Sequence, residues 1–156
     1  MRMRQTPATG NHLLGLLYLS IVVAILVAAM LAVSAQKGVR NKVILGNQEV
    51  VVEIADTSFL RERGLSGHPE LTVNEGMLFV FEDLQKHGFW MKDMRFPVDI
   101  IWFDQNKKIV DVEERATPQS YPKVFIPHVS SQFVLEVPAG FFSEHRLKIG
   151  DIIKIL

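Results

Sequence analysis

Residues 88–104 read GFWMKDMRFPVDIIWFD, from Gly88 to Asp104. The run is dense in aromatic and methionine side chains, yet it also holds Lys92, Asp93, Arg95 and Asp99. Pro97 divides it. Proline disfavours helix at the residue before it and cannot donate to a strand ladder. The sequence therefore predicts a strand over 89–91, a turn or bulge over 92–96 and a second strand over 98–103. On that second strand Val98, Ile100 and Trp102 share one face, and Ile101 and Phe103 share the other. Both faces are apolar, so both are covered, and Asp99 is predicted to be buried beside Ile101. A carboxylate inside apolar surroundings is costly unless it is paired or hydrogen-bonded.

Outward from this stretch the pattern stays that of a β protein. Upstream, two strands flank Gly46-Asn47, a pair suited to a hairpin turn. Asp56-Thr57-Ser58 supplies helix-cap chemistry, FLRER gives one or two helical turns, and Gly64 stops them. Residues 76–81, GMLFVF, form a short apolar strand. Downstream, 104–107 turn and 108–113 pair back on 98–103. Residues 115–131 carry Pro118, Pro122 and Pro127 without periodicity, and are either a binding lid or a loop that caps the core. Further strands are expected at 133–137 and near the end of the sequence, with a helical turn at 141–145. The expected fold is mainly β, a small β-sandwich or partly closed barrel with one or two short helices, preceded by one transmembrane helix.

The organisation is a flank over 1–12, a membrane segment over 13–33, a linker over 34–42 and a β domain over 43–156. Residues 13–33 contain no charge. At about 1.5 Å per residue they make a helix of roughly 31 Å, enough for a hydrocarbon core of about 30 Å. The expectation is a retained, single-pass anchor in the cytoplasmic membrane with the β domain extracytoplasmic. The alternative is a signal peptide cleaved near Ala35, giving a secreted or periplasmic domain. From residue 36 onward lie all 17 acidic residues and all but Arg2 and Arg4 of the 17 basic ones, a formal net charge of −2. No basic stripe stands out, which argues against nucleic acid. Cysteine is absent, which excludes disulfides, thiol catalysis and thiolate metal sites.

Several spaced segments resemble one family. They are Glu62-Arg63-Gly64-Leu65, Gly76-Met77-Leu78-Phe79 with Val80-Phe81, Phe89-Trp90-Met91-Lys92 with Pro97 and Asp99-Ile100, Phe133-Val134-Leu135-Glu136-Val137 with Gly140, and Gly150-Asp151. In this order they resemble the family called domain of unknown function 192 (DUF192) over about 43–156. The resemblance implies a mainly β domain, commonly behind an export or membrane segment, and it supplies no reaction. One departure falls at Ser66-Gly67-His68, where many members carry Met and Arg at the first and third positions.

Two acids embedded in apolar strands, Asp99 and Glu136, are candidates for a general acid/base pair. The competing reading makes each a structural group. Arg63 and Lys92 are their natural counter-charges, and a fixed arginine beside a pocket suits a carboxylate or phosphate. Trp90 and Trp102 offer stacking surface, although aromatics in strands are mostly core. The histidines show no zinc spacing. His87, Met91 and Met94 would need the turn after Met91 to converge on copper, and no metal or cofactor is expected. The leading expectation is a module that binds a small-molecule or cell-envelope ligand, or a partner, through Arg63, Trp90, Lys92, Asp99, Trp102 and Glu136. The alternative is a cell-envelope hydrolase or lyase using Asp99 and Glu136.

Overall fold

A computed structural model of the protein describes residues 18–19, 21–25 and 41–156. The chain divides into two units, Met1–Val39 and Arg40–Leu156. In the first, 18–19 and 21–25 are helical. The rest of the expected membrane segment lies outside the described residues. Among the described residues no helix is long and apolar enough to cross a membrane.

The second unit runs β1 (Asn41–Leu45), β2 (Gln48–Ala55), α1 (Ser58–Arg63), β3 (Glu75–Gln85), β4 (Phe89–Trp90), β5 (Val98–Phe103), β6 (Ile109–Ala116), a 3-10 turn (Pro118–Ser120), β7 (Val124–Phe125), β8 (Ser131–Pro138), α2 (Phe141–Glu144) and β9 (Ile153–Ile155). Seven strands form one sheet in the order β6-β5-β8-β3-β2-β1-β9, and β4 pairs with β7 as a separate ribbon. Within the large sheet β2 and β3 are parallel. The other paired strands are antiparallel.

The sheet curls until its edges touch. Lys108 and Ile152 form a bridge. Around it the Ile109 N–H donates to the Asp151 carbonyl (2.8 Å), the Gly150 N–H to Ile109 (2.8 Å) and the Ile153 N–H to Lys107 (3.0 Å). The structure therefore takes the partly closed barrel of the two expected forms. It does not take the sandwich, because among the described residues no second sheet of comparable size covers the first.

Alternation along the central strands divides the core into two layers. Leu78, Ile101, Phe103, Leu135 and Val137 point into the barrel with Val43, Leu45, Val50 and Ile153. Met77, Phe79, Val98, Ile100, Trp102 and Val134 point outward, where Phe89, Met91, Phe96 and Phe125 cover them. This is why residues 98–103 are apolar on both faces. The expected loop over 115–131 joins this outer layer: β7 pairs with β4, and Phe125 is buried there. Of the two expected roles, capping is the one visible in these contacts. The β2–α1–β3 crossover sets α1 beside the same outer face. Thr57 caps α1, its Oγ1 accepting from the Leu60 N–H at 3.2 Å. Gly64, at φ 48°, ends it.

Gly76 shows how tightly the centre is packed. A Cβ there would lie 2.6 Å from the Glu136 carbonyl oxygen, closer than any side chain tolerates. The glycine therefore lets β3 and β8 approach, and so fixes the level of Glu136 on the sheet.

Candidate functional site

Asp99 and Glu136 do not meet. Asp99 lies opposite Val137 on β8, and Glu136 lies opposite Ile100 on β5. With Val137 facing into the barrel and Ile100 facing out, the two carboxyls occupy opposite faces of the sheet. The acid/base pair expected from the sequence lacks its geometry for this reason. Neither acid has Arg63 or Lys92 as a salt-bridge partner either. Among the described residues the lysine–carboxylate pairs are Lys42–Glu49 and Lys123–Glu113, and His87 and His128 lie against Asp83 and Asp111.

Asp99, fully buried, is held by three backbone donors. Its Oδ1 accepts from the Arg115 N–H (2.8 Å) and the Gly140 N–H (3.0 Å), and its Oδ2 from the Phe142 N–H (2.9 Å). Arg115 and Gly140 both have left-handed backbones, at φ 55° and 94°. The carboxylate thus fastens an irregular point of the β5–β6 ladder to the start of α2. Trp102 is also structural: it is buried, and its Nε1–H donates to the His87 carbonyl at 2.9 Å.

Glu136 has a different environment. It is 3% exposed, and burial alone pushes its carboxyl up to about 8. No neighbouring cation or hydrogen bond offsets that shift. Among the described residues, no side-chain nitrogen or oxygen that is fully sealed lacks a partner. The carboxyl therefore faces the space it lines, a cavity of about 200 Å³ between α1, the outer face of β3 and β8, and the segment around β4.

Three phenyl rings, the His87 imidazole and the Trp90 indole form much of the wall. Phe79 meets Phe89 edge to face at 4.8 Å. Phe81 stacks on the His87 ring at 3.5 Å and nearly parallel. Arg61 lies over the Phe81 ring and donates to the Asp56 and Val80 carbonyls, at 2.6 and 2.9 Å. Trp90, 45% exposed, stands at the mouth. Gly64 brings the helix end against the Phe79 ring. The turn after α1 is fastened to the β4–β5 turn by Ser66 Oγ donating to the Lys92 carbonyl (2.8 Å) and the Gly67 N–H to Asp93 (3.0 Å). A shallower groove of about 360 Å³ continues past Trp90, with Arg63, Lys92, Glu62 and Asp93 on its walls.

Of the six residues expected to bind a ligand, Arg63, Trp90 and Glu136 line the cavity, and Lys92 joins Arg63 and Trp90 in the groove. Asp99 and Trp102 lie outside both linings. Sequence reasoning missed Arg61, His87, Phe79 and Phe81 as a cluster. The available signal was that Phe79 and Phe81 alternate with buried Leu78, so they share a face with Met77. Met91 is sealed in the core, apart from the cavity that Met94 and His87 line.

The DUF192 family, described as Uncharacterized ACR, COG1430, matches residues 41–155. The chain belongs to this family. Among curated DUF192-like relatives, a UPF0127 protein of Thermococcus sibiricus (strain DSM 12597 / MM 739) is 31% identical over 105 residues, covering 64% of this chain and 62% of that protein. A UPF0127 protein of Thermococcus gammatolerans (strain DSM 15229 / JCM 11827 / EJ3) is 31% identical over 104 residues, covering 65% and 64%. The chain thus spans less than two thirds of these relatives' length. Two solved structures share the fold at 25% identity. One is a Sinorhizobium meliloti 1021 protein provisionally labelled a transcription regulator, with TM-score 0.68 and coverage of 74% of this chain and 91% of that one. The other is a protein of unknown function from Novosphingobium aromaticivorans DSM 12444, with TM-score 0.69 and coverage of 73% and 83%.

Proposed function

We propose that this DUF192 chain is a membrane-anchored, extracytoplasmic module that binds a small molecule in the cavity beside α1. One observation carries the binding reading: a nearly buried carboxyl, Glu136, faces an aromatic-walled space without a partner of its own. Leaving such a group unpaired is unfavourable, and a ligand that hydrogen-bonds it recovers that loss. Concave apolar pockets with a few converging polar groups are the usual form of small-molecule sites. The hydrolase or lyase alternative is not carried further, because its two carboxyls lie on opposite faces of one sheet.

The test is a thermal-shift screen of the purified full chain against metals, cell-envelope fragments and small organic acids and amines. A true ligand raises the melting temperature, since it binds only the folded state. The rise should vanish when Met94→Trp, at a half-buried position on the lining, fills the cavity. A rise that survives Met94→Trp places binding elsewhere and defeats this reading.

The anchor rests on the uncharged stretch over 13–33. Expressed in bacteria, the full chain is expected in the membrane fraction after alkaline washing, with its β domain digested by protease added outside the cytoplasmic membrane. Recovery in the soluble cytoplasmic fraction would rule the placement out.

A further inference from the structure

Resting on that binding reading, we infer that the cavity takes a small organic anion with a flat apolar body, its inner end hydrogen-bonded to Glu136 and its charged end held by Arg63 at the mouth. The two ends of the site are chemically distinct. Arg61 and Arg63 line the same cavity, yet among the described residues neither forms a salt bridge with Glu136. A ligand that satisfies both ends must therefore be bipolar.

The charges along the way decide its sign. Around the cavity lie Arg61, Glu62 and Arg63 from α1, His87 from the β3–β4 connection and Glu136 from β8. Lys92 and Asp93 follow in the groove. Arg61 is already committed to two carbonyls and the Phe81 ring. Arg63 has no such hydrogen bond, ion pair or ring contact among the described residues, and it borders both the cavity and the groove. A free guanidinium binds a carboxylate or a phosphate through paired hydrogen bonds. An entering cation would pass two arginines and then have to remove the Glu136 proton. An anion meets Arg63 first and leaves Glu136 neutral, where it both donates and accepts. Between them, the edges and faces of Phe79, Phe89 and Trp90 suit a planar body.

The probes are a benzoate, a benzylammonium and a benzyl alcohol, each carrying a para hydroxymethyl group to meet Glu136, followed by NMR of the Trp90 indole and Met94 methyl signals in the full chain. Benzoate is expected to bind in the millimolar range and at least about ten-fold more tightly than benzylammonium. Arg63→Gln, at an exposed position, should weaken benzoate about ten-fold and leave benzyl alcohol unchanged. Between pH 7 and 9.5 wild-type benzoate affinity should fall by about thirty-fold as Glu136 ionises. Glu136→Gln, which keeps His87 and every other charge, should remove that fall. Preference for benzylammonium, indifference to Arg63→Gln or a pH slope retained in Glu136→Gln would each overturn the anion assignment while leaving a binding cavity. If none of the three probes moves either signal, the anion assignment falls, and the wider screen decides whether binding itself falls with it.

Discussion

Asp99→Ala is expected to destabilise the β domain by about 3–5 kcal/mol, a large share of the roughly 5–15 kcal/mol available to a domain of this size. The change leaves the N–H groups of Arg115, Gly140 and Phe142 without the buried acceptor they share. Two of these residues hold left-handed backbones, so the loss reaches the conformation of the β5–β6 junction and of the approach to α2. Asp99→Asn should be milder, about 2 kcal/mol. It retains one oxygen for Arg115 and Gly140 but turns an amide toward the Phe142 donor. Urea denaturation of the full chain, followed by tryptophan fluorescence, measures both. A loss below about 1 kcal/mol for Asp99→Ala would show that the three donors find other acceptors. The sequence alone allowed Asp99 a place among the ligand-binding residues. The geometry assigns the residue to the scaffold.

The second large effect has the opposite sign and depends on pH. The Glu136 carboxyl ionises near 4.5 in the unfolded chain and is pushed up to about 8 in the folded one. Between these values the folded state keeps a proton that the unfolded state has released. This contribution to stability is fully present below about pH 4.5 and is lost as pH rises through 8. The slope is about 1.4 kcal/mol per pH unit, or roughly 3–5 kcal/mol over the window. Glu136→Gln cannot titrate, so its advantage over the wild type should grow steadily from pH 5 to pH 8. At pH 8 it is expected to melt about 10 °C higher. Asp111 does not disturb the comparison. Its burial is outweighed by hydrogen bonds from His128 and Val112, which hold it below the usual carboxylate range, and it is the same in both proteins. Parallel melting curves at pH 5 and pH 8 would mean that water or a reorganised side chain solvates Glu136 in the folded state.

Much of this fold was legible in residue order, and for local reasons. Gly46-Asn47 set the first hairpin, Thr57 and Gly64 bounded α1, and Pro97 separated β4 from β5. Alternation placed Asp99 on the face of Ile101 and Glu136 on the face of Val134. What alternation could not say was that these two faces lie on opposite sides of the sheet. That depends on the β5–β8 register, which joins residues 98–103 to 133–138 across a long loop. The parallel β2–β3 pairing and the contact between residues 107–109 and 150–153 are likewise long-range pairings without a local signature. The cavity was half visible. Arg63, Trp90 and Glu136 stood out as charged or aromatic residues in unusual settings. Arg61 did not, and His87 stood out only as a possible copper ligand, because their place in the cavity comes from partners, Phe81 and the Val80 and Asp83 carbonyls, that fold beside them.

The pairing of β9 with β1 has a topological consequence. Val43 sits across from Ile155, and the Leu156 N–H donates to the Lys42 carbonyl at 2.9 Å. The polypeptide therefore enters and leaves the β domain at neighbouring points on one strand pair. Residues 41–156 consequently have the geometry of a cassette. A host protein could receive them in an exposed loop with only a short linker on each side, and the two ends could be joined for circular permutation without crossing the sheet.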